Sequence, residues 1–317
     1  MKRLTLLIAL AAFVACSGPK PDQTPDDTTP VDEKPVETKP QTWPETGMES
    51  ATYITNGKVQ IGVDLERGGA IFHFSEAKTK RNLLNHNDEG RFVQQSYYGD
   101  ADGSKWNGNA WNWNPVQGGS WEGKKATVSY KNVTDTKITV NTIPMHWASG
   151  ESLSDCLMRE EITLEGDCAH IIYTFKYSGS KSHKARHQEM PAVFCDYDLG
   201  TLVCYTGKKP WTEDALTRIV PKNLSDGATN QYLDRTEEWS AYVDDSDWGI
   251  GVYTPGTKQI TYYTFGHGPG GAAKSSCSYF SPIRTLAITK NLELTYEVWL
   301  TIGKTDEIRA RFAALRK

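Results

Sequence analysis

From residue 58 onward the chain is built of short runs in which apolar and polar side chains alternate. That period of two constrains its fold more than any other feature. The runs span 58–65, 70–74, 91–98, 137–145, 157–164, 169–177, 186–194, 239–243, 249–253, 259–265, 279–288 and 292–302. Successive side chains of a strand point to opposite faces, so each run offers one face to a core. Turn chemistry separates several of them, as at Glu66-Arg67-Gly68-Gly69, Glu165-Gly166-Asp167 and Pro255-Gly256. One helix is expected, at the end: Thr305 can cap it, Asp306 and Glu307 sit in its first turn, and Ile308, Phe312 and Leu315 share a face. No segment repeats at a fixed period, which disfavours propellers and solenoids. The expectation is an all-β domain over residues 47–317, a large antiparallel β-sandwich closed by one short C-terminal helix.

The first 46 residues obey other rules. Lys2 and Arg3 precede an apolar run over 4–14, and Ala15 precedes Cys16. This is the layout of a signal peptide over 1–15, too short to span a bilayer. The order Phe13-Val14-Ala15-Cys16 resembles a bacterial lipobox, which makes Cys16 the lipid-accepting residue and the bilayer a partner through its acyl chains. Residues 17–46 hold seven of the fifteen prolines among Thr, Asp, Glu and Lys, a composition that buries no core and reads as a tether. The sequence therefore places the domain outside the cytoplasm, tied to the bacterial cell envelope.

The tether carries seven acids against three lysines, a charge of −4 that equals the formal charge of the whole chain. With the +2 of Lys2 and Arg3 also set aside, residues 47–317 carry −2. A near-neutral domain without clusters of Lys and Arg argues against nucleic acid as a partner. Cys156, Cys168, Cys195, Cys204 and Cys277 remain after Cys16, an odd number. Cys195 and Cys204 flank a turn-like stretch and either pair across a hairpin or stay as buried thiols. No spacing matches a zinc site. Asp100-Ala101-Asp102-Gly103 lacks the further acids of a calcium loop, so neither metal nor cofactor is expected.

The chemistry-bearing segment is 106–121. It holds Trp106, Trp111, Trp113 and Trp121 among Asn107, Asn109, Asn112, Asn114 and Gln117. Sugars take flat aromatic faces against their C–H surfaces and amides against their hydroxyls, so this segment is either a glycan platform or a long loop packed by its rings. Upstream, Arg91, Val93, Gln95 and Tyr97 face one way and Phe92, Gln94, Ser96 and Tyr98 the other, the makeup of either a cleft wall or a solvated edge. In Arg186-His187-Gln188-Glu189, His187 and Glu189 share one strand face, where His187 can act as a general base tuned by Glu189, or be a hydrogen-bonded structural histidine. His146-Trp147 pairs a proton carrier with a stacking face. Tyr279 and Arg284 offer a phenol acid and a carboxylate-binding fork.

Taken together, the strand entering at Gly90-Arg91, the loop that follows it and the central strand at His187 resemble the galactose mutarotase-like superfamily of β-supersandwiches, over roughly residues 50–303. The resemblance implies a concave sheet face that holds a sugar, with Arg91 and His187 where such proteins place an arginine and a catalytic histidine. Arg186 stands before His187, where epimerases carry an asparagine. The implied function is a polysaccharide- or oligosaccharide-processing lipoprotein of the lyase or glycoside hydrolase type. In a lyase, His187 or Tyr279 abstracts a proton while Arg91, Arg284 or Gln188 neutralises a uronate carboxylate. In a hydrolase, Glu189 works with Glu161 or Glu238. The alternative is a glycan-binding lipoprotein without catalysis.

Overall fold

The computed structural model describes residues 50–87, 90–267 and 275–316; the segments expected to be signal peptide, lipid-accepting Cys16 and tether lie outside them. Two large antiparallel sheets face each other. The seven-stranded sheet runs in the order Met145–His146, Pro115–Val116, Gln94–Ser96, His183–Cys195, Cys277–Ile288, Gln259–Phe265 and Gln231–Asp234. The nine-stranded sheet runs from Thr217–Ile219 through Thr201–Cys204, Trp239–Val243, Trp248–Tyr253, Leu292–Lys304, Cys168–Tyr177, Cys156–Glu165 and Lys137–Ile143 to the edge strand Thr127–Val133. A three-stranded sheet of Ala51–Thr55, Val59–Asp64 and Ala70–Glu76 packs beside them.

The alternation sets this arrangement. Along Cys156–Glu165, Met158, Glu160 and Ile162 are buried while Arg159 and Glu161 face outward. Between the sheets, Tyr97, Val193 and Phe280 of one meet Ile171, Phe175, Val298 and Leu300 of the other in one continuous core. Burial of so many side chains is the main stabilising term, since a fully buried Val, Leu, Ile or Phe contributes about 1.5–3 kcal/mol. The helix Thr305–Leu315 seats Ile308 and Phe312 on Trp239 and Tyr253 at one end of the sandwich. Its N-cap position is Lys304, whose backbone amide donates to Glu307 Oε2 at 3.1 Å, so Thr305 is the first helical residue and not the cap expected of it.

Two departures from simple strands shape the functional face. The register of His183–Cys195 slips between Glu189 and Val193, across Pro191, which has no N–H to give to a ladder. The slip resets the alternation, so Val193 enters the core while Phe194 joins Glu189 on the outer face. The tryptophan-rich segment is a hairpin and not a plain loop: Ala101–Trp106 pairs with Asn109–Asn112 through Asn107 and Gly108, both at positive φ. Asn-Gly is the preferred pair for a two-residue hairpin turn.

Of the two alternatives for Cys195 and Cys204, the structure has the buried thiols and not the disulfide. All five cysteines of the described residues are buried free thiols, held in separate strands by the packing around them.

Candidate functional site

The outer face of the seven-stranded sheet carries a cleft in two compartments. The inner one, with a cavity volume of about 50 Å³, is walled by Arg91, Trp106, Trp111, Asn114, Trp147, Phe194 and Tyr263 above a floor of Ser96, Glu189 and Tyr279. The outer one, about 270 Å³, opens past Tyr98, Trp111 and Glu189, which line both. His187, Arg186, Asn230, Tyr232 and Thr261 complete it.

At the junction the Tyr279 hydroxyl donates a hydrogen bond to Glu189 Oε1. Ser96 and Tyr98 also hydrogen-bond the Glu189 carboxyl. Burial raises the carboxyl above its ordinary range, the three donors only partly offsetting it. Burial and the neighbouring Glu189 charge push the Tyr279 phenol far up as well. A carboxyl with a raised proton affinity, bonded to a phenol that keeps its proton, is suited to passing protons. Among the described residues lining the cleft, Glu189 is the single carboxyl.

The aromatic wall comes from the hairpin. Trp106 meets Trp111 edge-on with ring centroids 4.9 Å apart, and Trp147 lies 6.4 Å from Trp106. Trp111 Nε1 donates to Asn114 Oδ1 at 3.2 Å, while Asn114 Nδ2 donates to the Tyr97 carbonyl at 2.7 Å. Arg91 is buried with its guanidinium 5.9 Å from the Phe194 ring.

The structure thus gathers Arg91, Trp106, Trp111, Asn114, Trp147, Glu189 and Tyr279 in the inner compartment and places His187 in the outer one. His187 and Glu189 do share a face, as the strand spacing predicts. His187 is exposed, with Nδ1 2.9 Å from Thr285 Oγ1.

Other expected site residues point elsewhere. His146 Nε2 donates to Asp102 Oδ2 at 2.7 Å, and its Nδ1 accepts from the amides of Ala148 and Ser149, so neither nitrogen is left for a substrate. Gln95 and Gln117 lie between the sheets: Gln117 Oε1 accepts from the Gln95 amide, and its Nε2 donates to Glu160 Oε2 at 2.9 Å. Trp113 is buried and stacks on His183 at 4.3 Å. Trp121 Nε1 donates to the Ala148 carbonyl, bracing the loop outside the cleft. Gln188 is fully buried and bridges Tyr98 to Leu286. Arg284 donates to Thr257 Oγ1 and the Pro255 carbonyl, tying down a turn. Glu161 is ion-paired with Lys137 and Arg159 on the outer face of the other sheet, and Glu238 accepts from the Gly256 amide.

Phe194 and Tyr263 of the cleft were not among the residues expected from sequence, and neither were Asn230 and Tyr232. Phe194 and Tyr263 look like core positions in any alternating strand, and only the slip at Pro191 brings Phe194 out. Asn230-Gln231-Tyr232, amides beside an aromatic ring, has the composition used to single out 106–121 and was the available signal.

No family model matches the sequence, and no curated protein matches it. Solved structures do. A galactose mutarotase related enzyme from Lactobacillus acidophilus superposes with a TM-score of 0.52 at 10% identity, covering 80% of this chain and 98% of its own. A galactose mutarotase-like protein from Lactobacillus casei superposes with a TM-score of 0.51 at 13% identity, covering 80% and 99%. At such identities the likeness is one of fold, and the fold of this chain is galactose mutarotase-like.

Proposed function

We propose that the chain is an envelope lipoprotein that binds a saccharide in the two-compartment cleft and moves protons on it with Glu189 and Tyr279. The reaction class these residues fit best is β-elimination on a uronate-containing glycan. The hydrogen bond between Tyr279 and Glu189 carries the reading. Glu189 as carboxylate takes the proton beside the uronate carboxylate, the C–O bond to the next unit breaks as a C=C bond forms, and the leaving oxygen takes the Tyr279 proton. Glu189 then returns its new proton to the phenolate through the same hydrogen bond. Arg91 supplies positive charge for the enolate-like intermediate. Hydrolysis by two carboxylates finds less support, because Glu161 and Glu238 lie away from the cleft.

A binding-only role is the second reading. It is favoured by the Glu189 oxygens, which already accept from Tyr279, Ser96 and Tyr98. Incubation of residues 47–317 with neutral and uronate polysaccharides separates the readings. Unsaturated products that vanish in Glu189→Gln support elimination, new reducing ends without unsaturation point to hydrolysis, and binding without either product leaves the binding role. Labelling of the expressed full-length chain with a radioactive fatty acid, lost in Cys16→Ser, tests the anchor.

A further inference from the structure

The outer compartment has features that proton transfer at Glu189 does not need. Arg186 Nε and Asn230 Oδ1 are both buried atoms without a hydrogen-bond partner among the described residues. The nearest counter-charge to Arg186 is Asp100 Oδ1, 3.6 Å from a terminal nitrogen and so beyond hydrogen-bonding range. Leaving a buried donor and a buried acceptor unsatisfied is costly, and native proteins do so rarely. Across the same space Tyr232 leaves 49% of its surface exposed, on a ring 5.7 Å from His187. Trp111 also lines it and is shared with the inner compartment.

We infer that the outer compartment is a second sugar subsite, which makes the ligand a chain of at least two linked units and not a free monosaccharide. Both side chains line the compartment, and because these two atoms are closed to solvent, each side chain must turn toward the cavity for a sugar unit to take the Arg186 Nε–H and give its own O–H to Asn230 Oδ1. The flat C–H face of its ring lies against Tyr232 or Trp111. The inner and outer volumes together reach the small end of ordinary ligand pockets, about 300 Å³. The continuity at Tyr98, Trp111 and Glu189 puts the bond between the two units beside the proton-transfer pair. This inference rests on the saccharide reading above and adds the direction of the chain: the reacting unit lies inside and its neighbour outside.

Calorimetric titration of residues 47–317 with galactose, glucose, galacturonate and glucuronate tests it, each sugar supplied as monomer and as two- and four-unit oligomers. The expected result is that at least one oligomer binds tenfold or more tightly than its monomer. Asn230→Ala and Tyr232→Ala are each expected to remove most of that gain while monomer affinity stays put, and Tyr232→Phe to keep it. Equal affinity for monomer and oligomer, or variants that weaken both alike, overturns the second subsite and leaves the saccharide reading standing. Binding of none of these sugars overturns both. Thermal midpoints of the variants matching the parent confirm that any loss is local.

Discussion

Tyr279 donates a hydrogen bond to Glu189 across two neighbouring central strands, at the point where the inner and outer compartments meet. If Glu189 is the base, Glu189→Gln lowers turnover by roughly 10²–10⁴-fold while saccharide affinity changes little. The base must be ionised, and burial raises its carboxyl, so the rate climbs with pH above the ordinary carboxylate range. Tyr279→Phe removes a donor that favours the anion and moves that climb to still higher pH. A pH–rate profile unmoved by Tyr279→Phe would count against the pair.

Two tryptophans of the same segment are expected to behave oppositely. Trp111 is part-exposed and borders both compartments, so Trp111→Ala weakens saccharide binding and leaves the denaturation midpoint near that of the parent. Trp113 is buried in the core and stacked on His183, so Trp113→Ala destabilises by about 3–5 kcal/mol. Urea unfolding beside sugar titration distinguishes the two.

The contact between His146 and Asp102 fastens the hairpin to the turn after Met145–His146. Burial opposes ionisation of Asp102, but hydrogen bonds from Ser104 and His146 hold its carboxyl below the ordinary range. His146→Ala leaves two backbone amides without their acceptor, a loss of about 1–3 kcal/mol. Amide exchange is expected to quicken first in Ala101–Trp106 and Asn109–Asn112. Uniform quickening across both large sheets would argue against a local clasp.

Glu160 sits between the sheets, fully buried, with a pKa pushed up to about 8 by desolvation. Because its folded-state affinity for the proton exceeds the ordinary 4.5, its contribution to stability is intact below that value and fades as pH rises toward and through about 8. Glu160→Gln keeps the shape and the contact with Gln117 but carries no charge. Its melting temperature is expected to match the parent near pH 5 and exceed it near pH 9. An equal difference at both pH values would contradict a protonated native Glu160.

Each of the twelve alternating runs contains a strand, though in 91–98 it is only Gln94–Ser96, because period two is a direct record of a half-buried sheet. What escaped detection has physical causes. Thr127–Val133 is exposed along nearly its whole length, so it carries no apolar face to read. Thr217–Ile219 and Gln231–Asp234 are short edge strands. In the site, residue type identified Arg91, Trp111, Glu189 and Tyr279, but type cannot say which sheet face a glutamine takes. Gln95, Gln117 and Gln188 look like sugar ligands and instead satisfy buried backbone and side-chain groups. The same holds for His146, held by Asp102 as well as by its own turn, and for Arg284, whose partners Pro255 and Thr257 lie far away in sequence.

The hairpin through Asn107 and Gly108 is a separate two-stranded ribbon, joined to its surroundings by the His146–Asp102 clasp and by contacts of Trp106 and Trp111. Glu189 and Tyr279, by contrast, sit on the two longest strands of the seven-stranded sheet. What the cleft recognises is therefore mechanically separable from what it does. A ribbon of different length or sequence grafted between residues 101 and 112 can change the preferred ligand without re-registering a single core strand. This makes the segment a natural point of divergence between descendants of one ancestral chain, and a practical one for redesign.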